Sequence, residues 1–181
     1  SYDTETLQFP YFKFNGIQNL EEAKIAWYNN QPLSNVSDQD IDGENIASPE
    51  AAGNDDCINA EPLTCGQTVN GTTTGATFDN VGFCGTSNTA GGIWYSIIGT
   101  GGSINLSTCN QAAYDTKISV FAGSCGALSC IGGQDDAAGC AGFTTDYSFL
   151  SNSGTTYYIL VHGFGTATGS FTLTATCAAP P

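Results

Sequence analysis

An all-β fold, an antiparallel β-sandwich or jelly roll of about eight strands stapled by disulfides, is what this sequence predicts. Three observations carry that expectation. Short runs rich in Val, Ile, Thr, Tyr and Phe recur from residue 57 onward, separated by clusters of Gly, Asn, Asp and Ser. Eight cysteines, an even number with no C-x-x-C pair and a single histidine beside them, fit a disulfide framework better than a zinc site. Charged residues are only 11% of the chain, so the polar surface must come mainly from Thr, Ser, Asn and Gly, as suits an extracellular β protein.

The chain has 181 residues, room for one domain and an extension. Its character changes near residue 56. Residues 1–56 hold no cysteine and three of the 23 glycines, but 11 of the 17 acidic residues. The sequence therefore divides into an N-terminal arm with an acidic linker, residues 1–53, and a sandwich domain, residues 54–181. In the arm, Leu7-Gln-Phe-Pro-Tyr-Phe-Lys-Phe14 is an aromatic, β-prone run, and Pro10 confines it to an edge or added strand. Asn19 to Tyr28 reads as a short helix, capped by Asn19, with Glu21 and Glu22 in its first turn and Pro32 beyond its end. In the domain the candidate strands are Leu63–Val69, Thr72–Phe78, Ile93–Ile98, Ser103–Thr108, Lys117–Ala122, Phe143–Leu150, Thr156–His162 and Ser170–Thr176. No repeat of solenoid or propeller length is present.

Charge narrows the function. A formal net charge of −14, with three lysines and no arginine, excludes nucleic acid as a partner and disfavours anionic membranes. The favoured small partner is a hard divalent cation, Ca2+, which takes carboxylate and carbonyl oxygens. The longest strongly apolar stretch, Tyr157 to Val161, is too short to span a bilayer. A start at Ser1 and the absence of methionine read as a mature form whose leader has been removed, consistent with an extracellular or cell-surface location.

Five segments follow one another in order: Gly92-Ile-Trp-Tyr-Ser96, Tyr114-Asp-Thr-Lys-Ile-Ser-Val-Phe121, Gln134-Asp-Asp136, Gly154-Thr-Thr-Tyr-Tyr-Ile-Leu-Val161 and Gly169-Ser-Phe-Thr-Leu173. Together they resemble the bacterial pre-peptidase C-terminal domain, in its cysteine-rich form from secreted proteins of Bacteroidetes-type bacteria, over residues 54–177. The resemblance implies a β-sandwich module of the kind appended to secreted proteases and adhesins. It also implies Ca2+ binding in some members, and collagen or polysaccharide binding in others. The arm lies outside it.

Candidate sites follow. Asp55 and Asp56 at the sandwich entrance, with Asp115, Asp135 and Asp136 at the acidic positions of the resemblance, form the first Ca2+ set, since adjacent carboxylates repel unless a cation sits between them. Asp38, Asp40 and Asp42 before Gly43 match the opening of a calcium loop, but its twelfth position is Pro49 where a Glu is needed. For catalysis there is little: His162, the only histidine, lies in an apolar run and reads as a packed strand residue, and no nucleophile or metalloprotease motif is present. Cys57, Cys65, Cys84, Cys109, Cys125, Cys130, Cys140 and Cys177 are expected to pair, Cys125 with Cys130 first. Leu7, Phe9, Tyr11, Phe12 and Phe14 are the assembly candidates, as an exposed aromatic strand wants a partner. Two functions are expected, both non-enzymatic. One is a self-assembling surface or filament subunit, a homopolymer whose arm docks on its neighbour. The other is a Ca2+-dependent adhesive or accessory module for polysaccharide or protein, with Tyr95, Tyr114 and Tyr147 as exposed contacts.

Overall fold

The computed structural model describes residues 52–180. The predicted arm strand, the predicted helix, the assembly residues and the Asp38–Asp42 loop lie outside the described residues. Nine strands form two sheets: β1 Glu61–Leu63, β2 Thr68–Thr72, β3 Ile93–Ile98, β4 Ser103–Ser107, β5 Thr116–Ser124, β6 Ala127–Gln134, β7 Asp146–Leu150, β8 Thr156–Gly163 and β9 Ser170–Cys177. One sheet has the order β1-β3-β8-β5-β6 and the other β2-β9-β4-β7. Every pairing is antiparallel except β1 with β3.

The period of two along each strand builds the core. Ile93, Tyr95 and Ile97 of β3, Ile118 and Val120 of β5, and Tyr157, Ile159 and Val161 of β8 point between the sheets. They meet Ile104, Leu106, Phe149, Phe171 and Leu173 from the opposite sheet. The alternate residues of the five-stranded sheet make a second, outer cluster, Trp94, Phe121 and Leu160 with Cys84, under the segment 73–92. Asn54 and Asp55 hold that cover in place. Asn54 accepts the Trp94 amide through its carbonyl at 2.8 Å and donates its side-chain amide to Trp94 O at 2.8 Å. The two Asp55 carboxylate oxygens accept the Thr77 amide and hydroxyl, both at 2.8 Å. Asp79 then accepts the Trp94 indole N–H at 2.9 Å.

Three expectations are corrected. The run Leu63–Val69 is two strands in different sheets, broken by a turn in which Gln67 N–H donates to Thr64 O and Gly66 takes φ 85°. The run Thr72–Phe78 is not a strand: Ala76 N–H closes a turn on Thr73 O, and Gly75 at φ 81° redirects the chain. Strand β6, glycine-rich and at the sheet edge, was not expected at all.

The cysteines are all paired, as Cys57–Cys125, Cys65–Cys177, Cys84–Cys130 and Cys109–Cys140. The expected Cys125–Cys130 bridge is overturned by hairpin geometry. Cys125 lies in the turn between Ser124 and Ala127, whereas Cys130 stands in β6 opposite Phe121 and faces the outer cluster, where Cys84 waits. Each bridge closes a loop of 31 residues or more, up to 112 for Cys65–Cys177, a constraint on the unfolded chain worth about 2–4 kcal/mol apiece. Four disulfides belong to an oxidising, extracytoplasmic compartment. Among the described residues no helix is long and apolar enough to cross a membrane.

Candidate functional site

Strands β5 and β6 are antiparallel neighbours with Ile118 opposite Gln134. That register carries the residues before β5 to those after β6, so Asp115 meets Asp135 and Asp136. One carboxylate oxygen from each lies within 4.8 Å of the others. Lys117 projects from β5 onto the same outer face and is completely buried. Its ammonium donates to Asp135 Oδ2 at 3.0 Å and to Ser87 Oγ at 3.0 Å, and stands 4.7 Å from the centre of the Phe164 ring. Thr86 Oγ1 also donates to Asp135 Oδ2, at 3.3 Å. The second oxygen of Asp135 and Oδ1 of Asp115 are both buried without a hydrogen-bond partner. Burial raises the Asp115 carboxyl above its ordinary pKa, the Asp135 and Asp136 charges raise it further, and Lys117 opposes them. Three carboxylates facing one ammonium leave an excess of negative charge, and two of their oxygens have nothing to bond. The donor set is hard and all-oxygen, which suits Ca2+.

Asp55 and Asp56 do not join this cluster. Asp55 is committed to Thr77, and both lie near Asp79. Burial raises the Asp79 carboxyl, the Trp94 N–H lowers it, and the Asp55 and Asp56 charges raise it again.

His162 is buried on β8, opposite Lys117, as the apolar run around it implies. Ser119 gives its single hydroxyl proton to Cys84 O at 3.2 Å, so the 3.3 Å contact to His162 requires Nε2–H as donor and leaves Nδ1 bare. Desolvation, and then the Lys117 charge, push the imidazole down to about 4, with Asp135 and the Gly163 backbone pulling weakly the other way. The three tyrosines expected as exposed contacts are not. Tyr95 is wholly buried because it shares the inward face of β3 with Ile93 and Ile97, while Tyr114 and Tyr147 are half-buried.

Sequence reasoning missed Lys117. A signal existed: it is the one lysine of residues 54–181, set in an apolar strand two places from Asp115. It also missed a cleft of about 690 Å3 beside edge strands β1 and β2, where Glu61, Asn70, Gly71, Tyr95, Gln111 and Phe171 are among the lining residues. On the far side Tyr147 of β7 closes over Gly132 of β6, where a Cβ would overlap its hydroxyl.

Fold and site together define a disulfide-stapled β-sandwich module with an acidic cluster on one hairpin and an open cleft beside the edge strands β1 and β2. No family model matches the chain, and no curated protein does. Similar solved structures include the following two. The pre-peptidase C-terminal domain of a collagenase from Bacillus anthracis, the family that the five ordered segments resemble, aligns over 65% of this chain and 94% of its own, with 13% identity and a TM-score of 0.42. The periplasmic inhibitor of g-type lysozyme PliG from Aeromonas hydrophila aligns over 66% and 96%, with 14% identity and a TM-score of 0.42. At that distance neither says what this chain does.

Proposed function

We propose that this chain is a non-catalytic extracellular binding module, a Ca2+-dependent adhesive or accessory unit of a secreted protein, with the ion held by Asp115, Asp135 and Asp136. The observation that supports it is the pair of buried, unpartnered carboxylate oxygens on Asp115 and Asp135 beside Asp136. Ca–O distances run to about 2.3–2.6 Å, so oxygens within 4.8 Å of one another can touch one ion, and water completes the shell. An ion there ties the start of β5 to the end of β6. The single imidazole is buried and neutral, which leaves it poorly placed to act as an accessible base.

Saturating Ca2+ is expected to stabilise the protein by about 2.7 kcal/mol at a hundredfold excess over Kd, a rise in Tm of order 5–10 °C over chelator. Calorimetry on wild type and Asp115→Asn measures it, and the variant is expected to lose the rise. Identical melting in Ca2+ and chelator, with no heat on titration, would sink the metal site.

A second reading, a self-assembling surface or filament subunit, is favoured by β2, whose hydrogen-bonded neighbour among the described residues is β9 alone. Leu7, Phe9, Tyr11, Phe12 and Phe14 of one copy would add along that edge of the next. Removing residues 1–16 is then expected to turn polymers into monomers in light scattering. A full chain that is already an 18.7 kDa monomer excludes it.

A further inference from the structure

Lys117 is completely buried, and the pairing of Ile118 with Gln134 sets Asp135 directly across the ladder from it. Its Nζ lies 3.0 Å from Asp135 Oδ2. Two of its N–H groups are taken by Ser87, whose Oγ is 3.0 Å away and whose carbonyl oxygen is 3.4 Å away, so the remaining direction on the nitrogen is turned to Asp135. Thr86 Oγ1 donates to the same Oδ2 at 3.3 Å, while Asp135 Oδ1 is buried with no hydrogen-bond partner. Asp115 places a carboxylate oxygen within 4.8 Å of one on Asp135.

These groups make an imperfect ion pair and a well-placed pair of reactants. Burying two opposite charges is costly and is repaid only when every lone pair finds a donor, and Oδ1 finds none. Joining Nζ to Cγ as an amide removes both charges and removes that unpartnered oxygen. What stays at Oδ2 is a carbonyl that still accepts from Thr86. Free in water, an amine and a carboxylate do not condense, because water outcompetes the amine. Held in contact, they react at effective molarities of about 10⁵–10⁸ M, far above the concentration of water itself. The Asp135 side chain keeps 35% of its surface exposed, so the released water has a way out.

We infer that Lys117 and Asp135 join through an intramolecular isopeptide bond, with Asp115 relaying the protons. The Nζ–Cγ bond forms and the Cγ–Oδ1 bond breaks. Charge that builds on Oδ2 during the attack meets the Thr86 hydroxyl. Nζ gives up two protons; Asp115 carries both to Oδ1, which leaves as water, and Asp115 is regenerated. The ammonium and carboxylate charges cancel, so no other reactant is consumed. The ion pair is the state from which the bond forms. This inference goes beyond the Ca2+ reading and does not rest on it: Ca2+ on Asp135 holds the carboxylate as an anion, so the bond belongs to the ion-free chain. It gives the edge hairpin of β5 and β6 a clamp that reducing agents cannot open, unlike the four disulfides.

The test is mass spectrometry of the full chain, folded oxidatively and aged in chelator, then reduced and denatured. The wild type is expected to be lighter than its sequence mass by one water. Trypsin is expected to leave the denatured chain uncut after Lys117, because an acylated lysine is no substrate, and fragmentation to show a branched peptide joining Lys117 to Asp135. Lys117→Arg keeps a cation beside Asp135 but no amine that can condense, and is expected to hold its own full sequence mass. Asp115→Asn is expected to lose water about a hundredfold more slowly. A wild type at full sequence mass, cut after Lys117, overturns the bond whatever the variants do. A water loss that maps to Asp42 and Gly43, an Asp-Gly pair able to close to a succinimide, overturns it as well. Reaction of Asp115→Asn at the wild-type rate overturns the relay. None of these readouts involves Ca2+ binding, so a failure here leaves the metal reading standing.

Discussion

Replacing Lys117 by Met is expected to cost the Ca2+-free protein about 3 kcal/mol, the lower part of the range for breaking a buried ion pair, and to cost the Ca2+-loaded protein much less. The ammonium is the one lysine within the described residues and is fully buried, while the Asp135 side chain keeps 35% of its surface, so solvent softens the penalty. Methionine retains the apolar stem that packs near Phe164, and the difference isolates the charge. Without it, Asp115, Asp135 and Asp136 confront one another with no neutralising group, and Ser87 Oγ loses its donor. Ca2+ supplies two positive charges to the same oxygens. It no longer has to approach an ammonium 3.0 Å from Asp135, so its affinity should rise about tenfold or more. Urea denaturation in chelator and in Ca2+ measures both effects. Equal losses in the two conditions, or no loss in chelator, would show that Lys117 and the ion do not share these carboxylates.

How much of this was legible beforehand depended on whether the signal was local. Ile93–Ile98 and Thr156–His162 were readable because dense β-branched and aromatic residues face a cover on both sides of the sheet. Strand β6 was not: Gly132 and Gly133 suppress any β pattern, and its place is imposed by β5 alongside and by the Cys84–Cys130 bridge. Thr72–Phe78 had the right composition and the wrong fate, since the turn at Thr73–Ala76 and the Asp55 clasp on Thr77 redirect its backbone over Trp94. Propensity yields to tertiary contacts of that kind. Asp115, Asp135 and Asp136 could be named as a set from the ordered segments, and a hairpin joining them makes their meeting a matter of register. Asp55 and Asp56 could not be separated from that set, because their commitments run to Thr77 and to the surroundings of Asp79. The cleft was invisible for a simpler reason: Glu61, Asn70, Tyr95 and Gln111 come from four separate segments of chain.

Acid is expected to weaken the fold through His162, by about 2.5 kcal/mol between pH 7.5 and pH 4.5 in chelator. The imidazole titrates near 6.5 when unfolded and at about 4 in the folded protein. As pH falls through 6.5 the unfolded chain takes up a proton that the native state refuses, so stability drops until the native imidazole itself protonates near 4. The groups facing it set the size of the effect. Lys117 opposite it and the desolvating face of β8 disfavour the imidazolium; Asp135 favours it without prevailing. Asp79 and Asp115, whose carboxyls are raised, act in the reverse sense as they take up protons, because the folded state holds their protons more readily. Comparison with His162→Leu removes those common contributions. The variant loses the Nε2–H donation to Ser119, yet Ser119 keeps its bond to Cys84 O, so it should fold. Denaturant titration at the two pH values should give wild type a loss larger than the variant's by about 2.5 kcal/mol. The same loss in both proteins would mean that the buried imidazole is not what acid attacks, and would move the acid sensitivity to the carboxylates.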